Sequence, residues 1–146
     1  MLRYAAKYYR GEDGWEMVEV PAFGALTQGE DERDVRLMAR DLVGSLVAVT
    51  VWDKGEEPPE PDATLPEGEG WEWVYPDIKT SIAYAIRTLR TNAGCSMDQA
   101  AELVGVSKGT YQRWEHPEKC NAQVETLERL AAAFGRTVLF DFAEAS

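Results

Sequence analysis

The chain has 146 residues, 45% hydrophobic and 28% charged, with a formal net charge of −11; this is the balance of a folded protein, not of a disordered one. No apolar run approaches the length of a membrane-spanning helix, and the N-terminal MLRYAAKYYR lacks the apolar core of a secretion signal, so a soluble cytoplasmic protein with no membrane partner is expected. Two cysteines, Cys95 and Cys120, without a CxxC pair, and one histidine, His116, fall short of the four ligands of a structural zinc site, so no metal and no cofactor is expected.

Residues 1–10 alternate as a strand does, with Leu2, Tyr4, Ala6 and Tyr8 on one face. Gly11-Glu12-Asp13-Gly14 is a turn signal. Trp15 to Val20 reads as a second strand, ended by Pro21, which has no N–H to give a ladder. Ala25 to Gln28 reads as a short third strand. The period then changes from 2 to 3.6. Val35, Met38, Ala39, Leu42, Leu46 and Val49 recur at helical spacing, which predicts a helix over about 32–50. Asp31 is placed to cap it, and Glu32 and Asp34 suit the positive end of the helix dipole.

Lys54 to Gly70 reads KGEEPPEPDATLPEGEG, a composition of proline, glycine and acid that predicts a linker. Trp71, Trp73 and Tyr75 alternate with Glu72 and Val74 as in a short strand, and the domain boundary is expected within 54–77. Beyond Pro76, Ile82, Ala85, Ile86 and Leu89 mark a helix ending near Gly94. Ser96-Met97-Asp98-Gln99 has the capping-box pattern, and the helix it opens continues to Gly105. Ser107 can cap a further helix through about Glu115, broken by His116-Pro117. Val124, Leu127, Leu130, Ala131 and Phe134 mark a last helix stopped by Gly135. Val138, Phe140 and Phe142 then alternate with their neighbours as a C-terminal strand would, pairing either within one chain or between two.

The segment from Met97 to Glu115 has the layout of two helices joined by a tight turn. A small residue, Ala101, falls where the helices cross, and Gly105 falls at the turn, where positive φ is easiest for glycine. Val106, Tyr111 and Trp114 are spaced to face inward, which leaves Ser107, Lys108, Gly109, Gln112 and Arg113 outward, with Thr110 beside them. Such a face can read DNA: arginine pairs with guanine through two hydrogen bonds, glutamine with adenine, and serine or threonine with base edges or phosphate. Ser107, Lys108, Thr110, Gln112 and Arg113 are the candidate DNA-binding residues.

Charge is divided unevenly. Residues 1–77 hold 7 Lys and Arg against 18 Asp and Glu, a difference of −11, whereas residues 78–146 hold 8 of each. The acidic half either keeps the protein soluble or meets a basic partner. The neutral half puts DNA affinity on a local patch and on two half-sites bound by a dimer.

SMDQAAELVGVSKGTYQRWEHP followed by VETLERLAAAFG resembles an Xre-type helix-turn-helix over about residues 80–135. That family usually has glutamine at the first position of its second helix, where this chain has Met97. The N-terminal half, on the strength of YAAKYY, DGWEMVEVPAFGALTQGED, the amphipathic helix and PPEPD, resembles the HicB antitoxin domain over roughly residues 1–75.

The two resemblances imply an α+β chain. A partial RNase H-like βββα toxin-binding domain occupies 1–53, a Pro- and acid-rich linker with a short strand 54–77, and an all-α helix-turn-helix and dimerisation domain with a short C-terminal strand 78–146. They also imply an antitoxin of a type II toxin-antitoxin system. Such a protein covers a small basic HicA-type mRNA-cleaving toxin and represses its own operon as a homodimer or homotetramer on operator DNA. Glu12, Asp13, Glu30, Asp31, Glu32 and Asp34 are the candidate toxin-binding residues. The alternative is a stand-alone repressor whose N-terminal domain senses a ligand or dimerises. No enzyme is expected: a nuclease of the RNase H kind needs converging carboxylates with one on an early strand, and LRYAAKYY has none.

Overall fold

The computed structural model describes residues 1–143 and divides the chain into two compact units, the first ending at Asp77 and the second beginning at Ile78. Among the described residues no helix is long and apolar enough to cross a membrane.

The first unit is a four-stranded antiparallel sheet with one helix against one face. Its strands are β1 (Tyr4–Arg10), β2 (Glu16–Val20), β3 (Ala25–Gly29) and β4 (Trp71–Val74), in the order β3-β2-β1-β4. Between β3 and β4 in sequence lies helix α1 (Glu32–Ala48), which ends in a wider π turn over Val49–Asp53. The β1 alternation sends Leu2, Tyr4 and Ala6 to the buried side. They meet Val18, Val20 and Val74 from the sheet, and Val35, Ala39, Val43, Val47 and Val51 from the helical segment. Tyr4 packs edge-on to Phe23 at 4.8 Å between ring centroids. Asp31 caps α1, its carboxylate accepting from the Asp34 N–H at 2.8 Å.

Three expectations change here. The buried row of α1 runs Val35, Ala39, Val43, Val47; Met38 and Val49 stand about 40% exposed. The four-residue spacing of these small β-branched and alanine side chains lets α1 approach the sheet closely, and Gly44 does the same against Asp77, whose Oδ1 lies 2.5 Å from where a Cβ would sit.

Second, the domain is not completed by residue 53. Trp71–Val74, expected as a short strand in a linker, pairs antiparallel with β1 in the register Tyr4 to Val74 and Lys7 to Trp71. Part of the proline-rich stretch before it also lies against the sheet. β2 pairs only with residues 7–10 of β1, so the first half of β1 has no ladder partner on that side. Asp62 fills the gap: its carboxylate accepts from the Ala5 N–H at 2.8 Å and its own N–H donates to the Arg3 carbonyl at 3.2 Å. Tyr4 Oη donates to the Pro59 carbonyl at 2.9 Å, and Arg3 to the Ala63 carbonyl at 3.0 Å. Backbone groups that would otherwise lack partners are thereby satisfied.

Third, no C-terminal strand forms in the described chain. Residues 136–143 carry no ladder, and Leu139, Phe140 and Phe142 are 78–90% exposed. A strand exists through its hydrogen-bonded neighbour, and the described residues of this unit offer none. The last three residues of the expected module, 144–146, lie outside the described ones.

Arg36 on α1 ties the helix to β4. Its guanidinium meets Glu72 through two bonds, Nε to Oε2 at 3.0 Å and Nη2 to Oε1 at 2.7 Å. It also stands 5.2 Å from the centre of the Tyr8 ring. Burial, then the Glu72 carboxylate, push the Tyr8 phenol up from 10.0 to about 12, with Arg36 opposing. Because the folded value exceeds the unfolded one, Tyr8 contributes stability that is complete below pH 10 and is lost as pH rises through 12. Absorbance titration near 295 nm is expected to show a late tyrosine that Tyr8→Phe removes. A curve unchanged by the substitution contradicts this.

The second unit is helical: α2 (Ile78–Asn92), α3 (Met97–Val104), α4 (Lys108–Trp114) and α5 (Val124–Ala133). Its core gathers Ala83, Ile86, Ala100, Ala101, Val104, Tyr111, Trp114, Cys120, Leu130 and Ala131.

Candidate nucleic-acid interface

Helix α3 opens on a complete capping box. The Ser96 hydroxyl accepts from the Gln99 N–H at 3.1 Å, and the Gln99 side-chain oxygen Oε1 accepts from the Ser96 N–H at 2.9 Å. The helix stops at Gly105, whose φ of 85° is left-handed; the Gly105 and Val106 N–H groups both return to the Ala101 carbonyl, at 2.9 and 3.0 Å. A residue with a Cβ is disfavoured in that conformation. Arg129 on α5 donates to the Val104 carbonyl at 2.7 Å, satisfying another free acceptor at the same end. Two residues after Gly105, Ser107 caps α4 by accepting from the Thr110 N–H at 3.2 Å, and its own hydroxyl donates to Thr110 Oγ1 at 3.0 Å.

Helix α4 is held from its inner side. Tyr111 and Trp114 are buried, with ring centroids 6.1 Å apart. At its end, the buried Glu115 carboxylate receives both forks of Arg90 from α2, Nε at 2.7 Å and Nη2 at 3.0 Å. The third nitrogen of Arg90 donates to the Cys95 carbonyl at 3.1 Å, so one guanidinium joins α2, the loop before α3 and the end of α4. Burial pushes the Tyr111 phenol far above its ordinary range, and the neighbouring Glu115 carboxylate adds to the shift.

What remains outward is the face expected from the sequence. Ser107, Lys108, Gly109, Gln112 and Arg113 are exposed and Thr110 is half-buried. Ser107 and Thr110 spend part of their bonding capacity on the cap. Lys108 Nζ lies 3.2 Å from Asp98 on α3. That pair is exposed on both sides, so releasing it to meet a phosphate costs at most about 1 kcal/mol. No hydrogen bond or ion pair among the described residues engages the side chains of Gln112 or Arg113. The helix-turn-helix family matches residues 86–140.

The C-terminal unit carries a helix-turn-helix. This is the fold of DNA-binding transcription regulators. No curated protein is significantly similar to the chain.

The six candidate acidic residues lie at one end of the sheet, Glu12 and Asp13 in the β1–β2 turn and Glu30, Asp31, Glu32 and Asp34 in the β3–α1 turn and the first turn of α1. Asp13, Gly14, Trp15 and Glu30 line one shallow depression there. Most of these carboxylates serve local structure. Asp31 caps α1, Asp34 accepts from the Glu30 N–H at 2.9 Å, Glu32 faces Arg36 at 3.9 Å, and Asp13 accepts from the Trp15 N–H at 3.2 Å. The side chains of Glu12 and Glu30 have no such engagement among the described residues. Those residues also hold no group of three His, Cys, Asp or Glu side chains placed to bind a metal ion.

Sequence reasoning missed Arg90, Glu115 and Asp62. Each carries a charge that normally marks solvent. Only the position of Glu115, directly after the inward Trp114 and before the helix break, hinted at a buried role.

Proposed function

We propose that the protein is an operator-binding repressor whose acidic N-terminal unit neutralises a small basic mRNA-cleaving toxin of the HicA type. The observation that carries the DNA-binding part is the α3–turn–α4 geometry, capped at both helix starts, with Gln112 and Arg113 outward and unengaged. Arg113 is the candidate for a two-bond contact to guanine and Gln112 for adenine, with Lys108, Ser107 and Thr110 positioning the backbone. One helix-turn-helix makes few contacts, so a homodimer or homotetramer on two half-sites belongs to the proposal.

The antitoxin part rests on the sequence resemblance, on the −11 difference over residues 1–77, and on the gathering of Asp13 and Glu30 beside Trp15 at one end of the sheet. A partial RNase H-like unit is consistent with three antiparallel strands, a helix and a returning strand. Toxin neutralisation in the cytoplasm is part of the same reading, with no catalysis and no cofactor. Glu12 and Glu30 are the residues freest to meet a basic partner. The engagement of Asp13, Asp31, Glu32 and Asp34 in turns and caps favours the second reading, a stand-alone repressor.

Two measurements on the full chain separate these. Binding to duplex DNA from upstream of its own coding region tests the repressor. Arg113→Ala is expected to weaken it about 5- to 150-fold, equivalent to about 1–3 kcal/mol, while the far-UV spectrum stays unchanged. Affinity capture from the host, analysed by mass spectrometry, tests the antitoxin. A stoichiometric small basic protein supports it, and Arg113→Ala must retain that protein. DNA binding without any such partner leaves the stand-alone repressor.

A further inference from the structure

Gly109 lies in helix α4, between Lys108 and the exposed pair Gln112 and Arg113. Glycine within a helix is unfavourable relative to alanine, because it loses more backbone freedom on folding and packs no side chain. Where a fold retains glycine in such a place, a left-handed backbone or a close neighbour usually explains it.

The twelve glycines of this chain test that rule. Eight have positive φ: Gly14, Gly24, Gly55, Gly68, Gly70, Gly94, Gly105 and Gly135. Three others are crowded. A Cβ at Gly29 would come within 2.4 Å of the Val35 backbone nitrogen, one at Gly44 within 2.5 Å of Asp77 Oδ1, and one at Gly11 within 3.0 Å of Asp13 Oδ1. Gly109 alone has neither property: its φ is not left-handed, and a Cβ there would meet nothing within 4 Å. Nothing inside the described chain requires glycine at this position.

We infer that Gly109 is the point at which α4 comes closest to DNA, where the missing Cβ lets the helix backbone pack against the wall of the groove. The inference rests on the DNA-binding reading above. It adds a residue that works by the absence of a side chain, and it sets the depth at which Gln112 and Arg113 reach base edges. Any Cβ added here lifts the helix away from the duplex and lengthens those hydrogen bonds, which weaken steeply with distance.

The test is a pair of variants, Gly109→Ala and Gly109→Leu, in the full chain. Melting temperature is read alongside affinity for the upstream duplex and for a scrambled duplex of equal length. The expected result is a melting temperature equal to or above that of the wild type for Gly109→Ala. Its affinity for the upstream duplex falls at least tenfold, Gly109→Leu falls further, and affinity for the scrambled duplex changes much less. Wild-type binding of the upstream duplex with Gly109→Ala binding equally well overturns the close approach and leaves the repressor reading standing. A lowered melting temperature for Gly109→Ala overturns it too, since the glycine then serves the fold. Failure of the folded wild type to bind the upstream duplex removes the repressor reading, and this inference with it.

Discussion

Glu115→Ala is expected to destabilise the helix-turn-helix unit by about 3–5 kcal/mol, the usual cost of stripping one partner from a buried ion pair. The Glu115 carboxylate is 1% exposed and the Arg90 side chain 15%, so losing the carboxylate leaves the guanidinium without its charge partner in a largely buried place. A whole domain is stable by only about 5–15 kcal/mol, so this one change removes a large part of the margin. Chemical denaturation followed by circular dichroism gives the number. The double variant Arg90→Met with Glu115→Leu is expected to lose less than Glu115→Ala alone, because no charge is then stranded. Asp98→Ala breaks the exposed pair with Lys108 and is expected to change stability by less than about 1 kcal/mol. A Glu115→Ala protein as stable as the Asp98→Ala protein would show that Arg90 does not hold the end of α4.

Gly70→Ala is the second large change, and it acts on the other unit. Gly70 has a φ of 83°, and a Cβ there would stand 2.5 Å from the Tyr8 carbonyl oxygen. That oxygen is backbone in the middle of β1, and the Gly70 carbonyl itself accepts from the Tyr8 N–H at 2.8 Å. Left-handed strain adds about 1–2 kcal/mol and overpacking about 1–3 kcal/mol, so a loss near 3 kcal/mol is expected. Gly55→Ala is the control: it has a φ of 67° but open space around it, so only the strain remains. Hydrogen exchange of the β1 amides should accelerate more in Gly70→Ala than in Gly55→Ala, which carries the strain without the clash. Equal behaviour of the two variants would mean that the approach of Gly70 to β1 contributes nothing.

The contrast between these sites explains what could be read from the sequence. The capping box at Ser96 and Gln99, the turn at Gly105, the cap at Ser107 and the outward position of Gln112 and Arg113 are all decided within three or four residues of chain. Local chemistry is enough to place them. Pairing of β1 with β4, the insertion of Asp62 beside Ala5 and the meeting of Arg90 with Glu115 join residues 25 to 70 positions apart. No local pattern carries that information. A proline-rich acidic stretch looks the same whether it tethers two domains or lies along a sheet. On α1 the period was legible and the phase was not, because Met38 and Val49 match the helical repeat as well as Val43 and Val47 do. The alternation around Phe140 reads as a strand, yet alternation alone supplies no neighbour to pair with.

The register of β1 has a consequence for the order in which the first unit assembles. Tyr4 pairs with Val74, 70 residues later (74 minus 4). Closing so distant a contact is slow compared with forming α1 or the β1–β2 hairpin. On the ribosome the delay is longer still. At roughly 5–20 residues per second, β1 waits on the order of several seconds after its own synthesis before β4 exists. Through that interval the stretch YAAKYY has an open edge, the kind of segment on which nascent chains aggregate. Lys7, near the middle of that edge, sets a charge against stray strands until Trp71 arrives opposite it.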